Sequence, residues 1–97
     1  MKKVNELCEQ IAKEGNATYG MKEVTYAAES GAVKELFVSD KLLRTLHEQG
    51  KYAELDVLLR QVDKTGGTIF IISSLHEGGQ KLDGLGGVGA LLRFRVS

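Results

Sequence analysis

Residues 65–96 constrain the chain most, because they hold two runs of branched and aromatic side chains bounded by glycines, at 68–72 and 90–96. Runs of this length and composition form buried strands, so both are predicted to lie centrally in one sheet. Between them, Ser74-Leu75-His76-Glu77 has the form of a capping box. In such a box the serine hydroxyl and the glutamate three residues on satisfy free N–H groups at a helix start, which predicts a short helix from Leu75. That helix contains Gly78 and Gly79, each about 1 kcal/mol less favourable than alanine in a helix interior. Leu75, Gly79, Leu82 and Gly86 share one helical face, so the expected reason for Gly79 is close approach, with the helix pressed onto the sheet.

Three motif matches in this stretch lack the context their chemistry needs. Gly84, Gly86 and Gly89 fit GxGxxG, but a dinucleotide loop follows a strand and opens a helix, whereas here a strand-like run follows. A glycine-rich turn into the last strand is the expected structure. Gly78-Gly79-Gln80 spells the tripeptide that translation termination factors carry on an exposed loop tip for peptidyl-tRNA hydrolysis; here it falls inside a capped helix. His76-Glu77 begins like a zinc-protease motif, but the second histidine would fall at position 80, which is Gln80, so no metal or other cofactor is implied.

Upstream, Val4, Leu7, Cys8 and Ile11 have the spacing of an amphipathic helix, with Gly15 placed for a left-handed cap. A short strand is predicted over 17–19. A second helix follows, with Met21, Val24, Ala27 and Ala28 on one face and Gly31 at its end. The next strand is predicted over 35–38. Ser39 and Asp40 are natural caps for a helix bearing Leu42, Leu43 and Leu46 and ended by Gly50, which leaves Arg44 and His47 near solvent. Leu55, Leu58, Leu59 and Val62 mark a further helix to about Lys64, and Gly66 and Gly67 turn the chain into the strand at Thr68. The order α-β-α-β-α-α-β-α-β predicts an α/β fold: a three-layer α/β/α sandwich on a mixed, mostly parallel four-stranded sheet. Alternation along the last run puts Ala90, Leu92, Phe94 and Val96 on one face and Leu91, Arg93 and Arg95 on the other. These arginines are expected to be solvated or ion-paired.

With 97 residues, 42% of them hydrophobic, one core and a single domain over 1–97 are expected. Thirteen basic and thirteen acidic residues cancel, which argues against a phosphate-binding surface as the main feature. Cys8, the one cysteine, reads as a small apolar residue in a reducing compartment. No run approaches the ~18 apolar residues of a membrane span, so the chain is expected to be soluble and cytoplasmic. Neither histidine stands with a serine or cysteine and a carboxylate as nucleophilic catalysis would need.

Three segments together, GAVKELFVSDKLLR at 31–44, SSLHEGGQKL at 73–82 and LGGVGALLRF at 85–94, resemble the C-terminal domain of the pelota family, and ATYG at 17–20 adds to the match. The resemblance implies the fold of release factor domain 3, shared with kink-turn-binding ribosomal proteins. It implies the third of three domains in a factor that recognises stalled ribosomes and promotes their rescue and mRNA surveillance. The implied partners are a translational GTPase similar to elongation factor 1 alpha, the iron-sulfur ABC ATPase of ribosome recycling, and the ribosome. The resemblance implies a non-enzymatic domain, since the endonuclease activity proposed for the family belongs to its first domain.

The shared fold raises kink-turn RNA binding as an alternative. The asparagine-glutamate pair of those proteins is incomplete here, where Asn16 is followed by Ala17. In the related release factor the first helix forms part of the GTPase-facing surface, so the resemblance directs attention to that helix. On it Lys3, Gln10 and Glu14 lie along one flank beside Leu7, itself expected in the core. These four are the candidate partner-binding residues.

Overall fold

The seven residues Val33–Ser39 form the strand on which the other elements are assembled, and all but Lys34 are buried. The computed structural model describes the backbone of residues 2–13 and 15–94, and their side chains from Val4 onward. The elements are α1 (Lys2–Ala12), β1 (Ala17–Tyr19), α2 (Met21–Glu29), β2 (Val33–Ser39), α3 (Asp40–Glu48), α4 (Tyr52–Lys64), β3 (Thr68–Ile72), α5 (Glu77–Gly84) and β4 (Val88–Leu92). Their order is the one the sequence predicts. They build a sheet ordered β1-β4-β2-β3, with helices on both faces.

On one face, Val24, Ala27 and Ala28 of α2, Leu46 of α3, and Leu55, Leu58 and Val62 of α4 pack on Leu36, Val38, Val88 and Ala90. On the other, Val4 and Leu7 of α1 and Leu82 of α5 pack on Phe37, Ile72 and Leu91. Cys8 is half-buried against this second cluster. A register shift between Val33 and Glu35 in the β2–β4 pairing adds one residue to β2. It therefore turns Val33 onto the α2–α4 face with Leu36 and Val38, as bulges do.

The strand directions and positions correct the sequence reading in two ways. Only β2–β3 is parallel; β4 runs antiparallel to both β1 and β2, so the sheet is mixed but not mostly parallel. The alternation correctly gives β1, β2 and β3 a common direction, but β4 inserts between β1 and β2 pointing the other way. In addition, β3 is an edge strand and only β4 of the two apolar runs is central. An apolar run does not by itself record a central position: of the five residues of β3 only Ile72 is buried, and Ile71 is half-exposed.

β4 starts two residues earlier than expected and ends at Leu92, after which Arg93 N–H donates to the Ala32 carbonyl at 2.7 Å. Phe94 is consequently half-exposed and not on the inner face; Arg95 and Val96 lie outside the described residues. Within β4 the alternation holds, with Val88, Ala90 and Leu92 facing one cluster and Leu91 the other. The glycine-rich segment is a turn, in which Gly86 and Gly87 have φ of 94° and 85°, a region that favours glycine. A Cβ at Gly87 would also lie 2.8 Å from the Leu42 Cβ, so α3 packs directly on this turn.

At α5 the expected capping box does not form. The helix begins at Glu77, two residues late, with His76 as N-cap and no side-chain cap. Ser74 N–H donates instead to Asp40 Oδ1 at 2.9 Å, and the Ser73 hydroxyl accepts from Leu75 N–H at 3.2 Å. Leu75 is thereby thrown outward, 88% exposed. Gly79 is a close-approach site, but its neighbour is the loop leading into α5 and not the sheet. A Cβ there would overlap the Ser73 carbonyl and stand 2.8 Å from Ser74 Cα.

At the other helix ends, Ser39 caps α3 by accepting from Leu42 N–H at 3.1 Å. Gly31, Gly50 and Gly66 take positive φ, as turn positions require, whereas Gly15 does not and instead donates its N–H to the Gln10 carbonyl at 2.8 Å.

Candidate interaction surface

The α1 helix exists because Val4, Leu7, Cys8 and Ile11 recur at helical spacing. Its position on the sheet is set by one small residue beneath it. Leu7 is fully buried, and a Cβ on Gly89 of β4 would come within 2.8 Å of its Cδ2. The missing side chain at 89 is what admits Leu7. This candidate residue therefore anchors the helix and has no surface to offer a partner.

Gln10 is half-buried, with its side-chain amide against Gly15. Glu14 and the Lys3 side chain lie outside the described residues. Thus the structure joins Leu7 and Gln10 on one helix and places them in different roles, one under the helix and one at its rim.

At about 100° per residue, Asn5 lies across the apolar stripe from Gln10. There it accepts a hydrogen bond from Lys81 Nζ of α5 at 3.0 Å. Lys81 also stands 3.5 Å from Glu77. So α5 closes on the Asn5 side of α1, opposite the flank bearing Gln10. The outward side carries a Glu9–Lys13 pair at 2.7 Å, exposed at both ends. That bond, and then the charge of Lys13, hold the Glu9 carboxyl below its ordinary range. An exposed pair of this kind is screened by solvent and contributes little to stability, so the charges dress the surface more than they hold it. Sequence reasoning missed the α1–α5 contact, since nothing local in either segment announces a bond between Asn5 and Lys81.

The remaining singled-out residues have structural roles. Gly78 and Gly79 are buried inside α5 while Gln80 is exposed on its side, so the tripeptide has no loop tip to present it. Arg93 donates from Nη2 to the Thr65 carbonyl at 2.6 Å, tying the last strand to the end of α4. His47 is exposed and stacks on Tyr52, with ring centroids 4.0 Å apart. His76 caps α5 through its backbone. Among the described residues no cluster of three or more His, Cys, Asp or Glu side chains could hold a metal ion, and no helix is long and apolar enough to cross a membrane.

A second acid, Asp40, is also perturbed. The Asp40 carboxyl is held below its ordinary range, first by the Ser74 backbone N–H and to a lesser extent by the nearby charge of Arg44; the Ser74 hydroxyl oxygen is buried beside it without a hydrogen-bond partner. Asp40 fixes the entrance to α5 against the start of α3.

The fold and surface together define a small α/β/α sandwich, with polar residues spread over helix faces around two apolar cores. The chain belongs to the eRF1 domain 3 family, whose model matches residues 1–96. It is 41% identical over 93 residues to a protein pelota homolog of Methanosarcina barkeri, covering 96% of this chain and 26% of that protein. Among solved structures it is similar to Dom34 of S. cerevisiae, a translation termination-like factor involved in RNA quality control pathways and interacting with Hbs1. That likeness has a TM-score of 0.83 at 33% identity, over 95% of this chain and 26% of that one. It is also similar to an archaeal Pelota bound to the ribosome with ABCE1, with a TM-score of 0.81 at 42% identity, over 99% of this chain and 27% of that one. The chain thus spans about a quarter of the length of the proteins it matches.

Proposed function

We propose that this chain is the third, partner-docking domain of a pelota-like factor that rescues stalled ribosomes and takes part in mRNA surveillance in the cytoplasm. Its partners are a translational GTPase of the elongation factor 1 alpha type and, at the splitting step, the iron-sulfur ABC ATPase. The observation that carries this reading is the 42% identity, over 99% of the chain, to a Pelota bound to the ribosome with ABCE1. The likeness to Dom34, which interacts with Hbs1, supports the GTPase as the other partner. The domain works by binding, without chemistry of its own.

The kink-turn alternative is not favoured. A net charge of zero supplies little of the phosphate attraction on which RNA affinity depends, and Ala17 stands where the recognition glutamate is needed.

The GTPase-facing surface is assigned to the α1 flank of Lys3, Gln10 and Glu14, held in place by Leu7. In the full three-domain protein, the double variant Gln10→Arg, Glu14→Lys is expected to weaken GTPase binding roughly tenfold or more, as residues near an interface centre do. Its melting temperature should stay nearly unchanged, as for most surface changes. Calorimetric titration in which the variant binds as tightly as the parent would remove this flank from the interface.

A further inference from the structure

The outer edge of β3 has a feature that the docking role of α1 leaves unused. β3 pairs with β2 through five continuous registered positions, from Glu35↔Thr68 to Ser39↔Ile72, and among the described residues no strand pairs with its other side. In a parallel pair, backbone N–H and C=O groups alternate between the two sides of a strand. The outer groups of β3 therefore point away from the sheet.

Proteins normally guard such an edge with short length, lysine, proline or a bulge. The opposite edge obeys this rule, since β1 has only three residues. β3 does not: its sequence Thr-Ile-Phe-Ile-Ile has no charge and no proline. The irregularity in this sheet lies in the β2–β4 pairing and not here.

We propose that this edge is a strand-addition site, which takes an extended, apolar, uncharged segment of a partner protein as a fifth strand. The backbone specifies the occupant's conformation, because only another extended chain can engage the outward N–H and C=O groups in series. The side chains specify its chemistry. Ile71 is 51% exposed and Leu75 beyond it is almost fully so. An open cleft of about 520 Å³ lies alongside, lined by Phe70, Ile71, Ile72, Ser73, His76 and Gly78, with no carboxylate, ammonium or guanidinium among them. A charged side chain facing this lining would lose hydration without gaining a partner, whereas branched or aromatic residues would cover Ile71.

The platform is fixed, since Phe70 stacks on the fully buried Phe37 with ring centroids 5.3 Å apart. A second copy of the chain fits less well. A five-residue edge is only about 17 Å long, too small a contact to reach the roughly 1,200 Å² of a specific dimer.

The test uses the whole chain, isotope-labelled, titrated with a capped heptapeptide of alternating valine and threonine. Saturable amide shifts confined to residues 68–73, lost when alternate peptide amides are N-methylated, are expected. Ile71→Lys, which installs the usual edge guard at an exposed position, should weaken binding at least tenfold with an unchanged melting temperature. The proposal is overturned if no shifts appear at millimolar peptide, if they map elsewhere, or if the N-methylated peptide binds equally. It is also overturned if the β3 amides are already protected by concentration-dependent self-association. Should Ile71→Lys fail to fold, the N-methylated peptide alone decides.

Discussion

Replacing Gly79 by alanine sets two effects against each other in a way the structure resolves. The substitution gains about 1 kcal/mol of helix propensity. Against this, the new Cβ overlaps the Ser73 carbonyl and stands 2.8 Å from Ser74 Cα. These are backbone atoms, held by the Ser74 N–H bond to Asp40, so they cannot swing aside as the tip of a side chain would. Overpacking of this kind costs roughly 1–3 kcal/mol beyond what relaxation recovers; Gly79→Leu should cost at least as much. Set against the propensity gain, the net loss for alanine is up to about 2 kcal/mol, so at about 4–8 °C per kcal/mol for a chain of this size thermal melting should fall, by up to ~16 °C. Gly84, the last residue of the same helix, is the control. A Cβ there meets nothing within 4 Å, so Gly84→Ala should raise stability by about 0.4–1 kcal/mol. If both alanines raise the melting temperature, close approach is not the reason for Gly79.

Leu7→Ala should cost about 2–5 kcal/mol in urea unfolding, as large-to-small core changes do, while an equally stable variant would mean that α1 is not anchored at Gly89. Ser39→Ala removes the Leu42 N–H acceptor and should cost roughly 0.5–2 kcal/mol, read as a lower melting temperature. For Asp40 the folded-state pKa is lowered, so its stabilising contribution is fully present above the unfolded carboxyl pKa of about 3.9. It is lost as pH falls through the lower folded value. The advantage of the parent over Asp40→Asn in urea midpoint should therefore shrink on acidification below that range; an advantage constant with pH would contradict the bond. Gln80→Ala should leave stability within about 0.5 kcal/mol of the parent and change no peptidyl-tRNA hydrolysis, so release activity lost in that variant would revive a catalytic reading.

The helices were legible because their apolar residues recur at helical spacing, and Gly31, Gly50 and Gly66 mark turns that need positive φ. Strand faces were legible too, as Leu91 and its neighbours Ala90 and Leu92 illustrate. What could not be read was anything that depends on which strands become neighbours. The run Thr68–Ile72 looks central because it is continuously apolar from Ile69, yet only Ile72 is buried and among the described residues no strand pairs with its outer edge. The direction of β4 depends on its insertion between β1 and β2, which no local signal encodes. The capping box at Ser74 failed because Asp40, 34 residues earlier, claims its N–H. For the candidate site, the spacing correctly put Leu7 in the core and Gln10 at the rim. The closure of α5 on Asn5 depends on Lys81, 76 residues away, and was invisible.

That this chain docks proteins and not RNA is tested most directly by a paired titration. The isolated chain is titrated calorimetrically with an Hbs1-type GTPase and, in low salt where screening is least, with a kink-turn RNA and an unstructured RNA of equal length. Saturable binding of the GTPase, with no preference between the two RNAs, is the predicted result. Submicromolar, kink-specific RNA binding without any GTPase binding would contradict a protein-docking role.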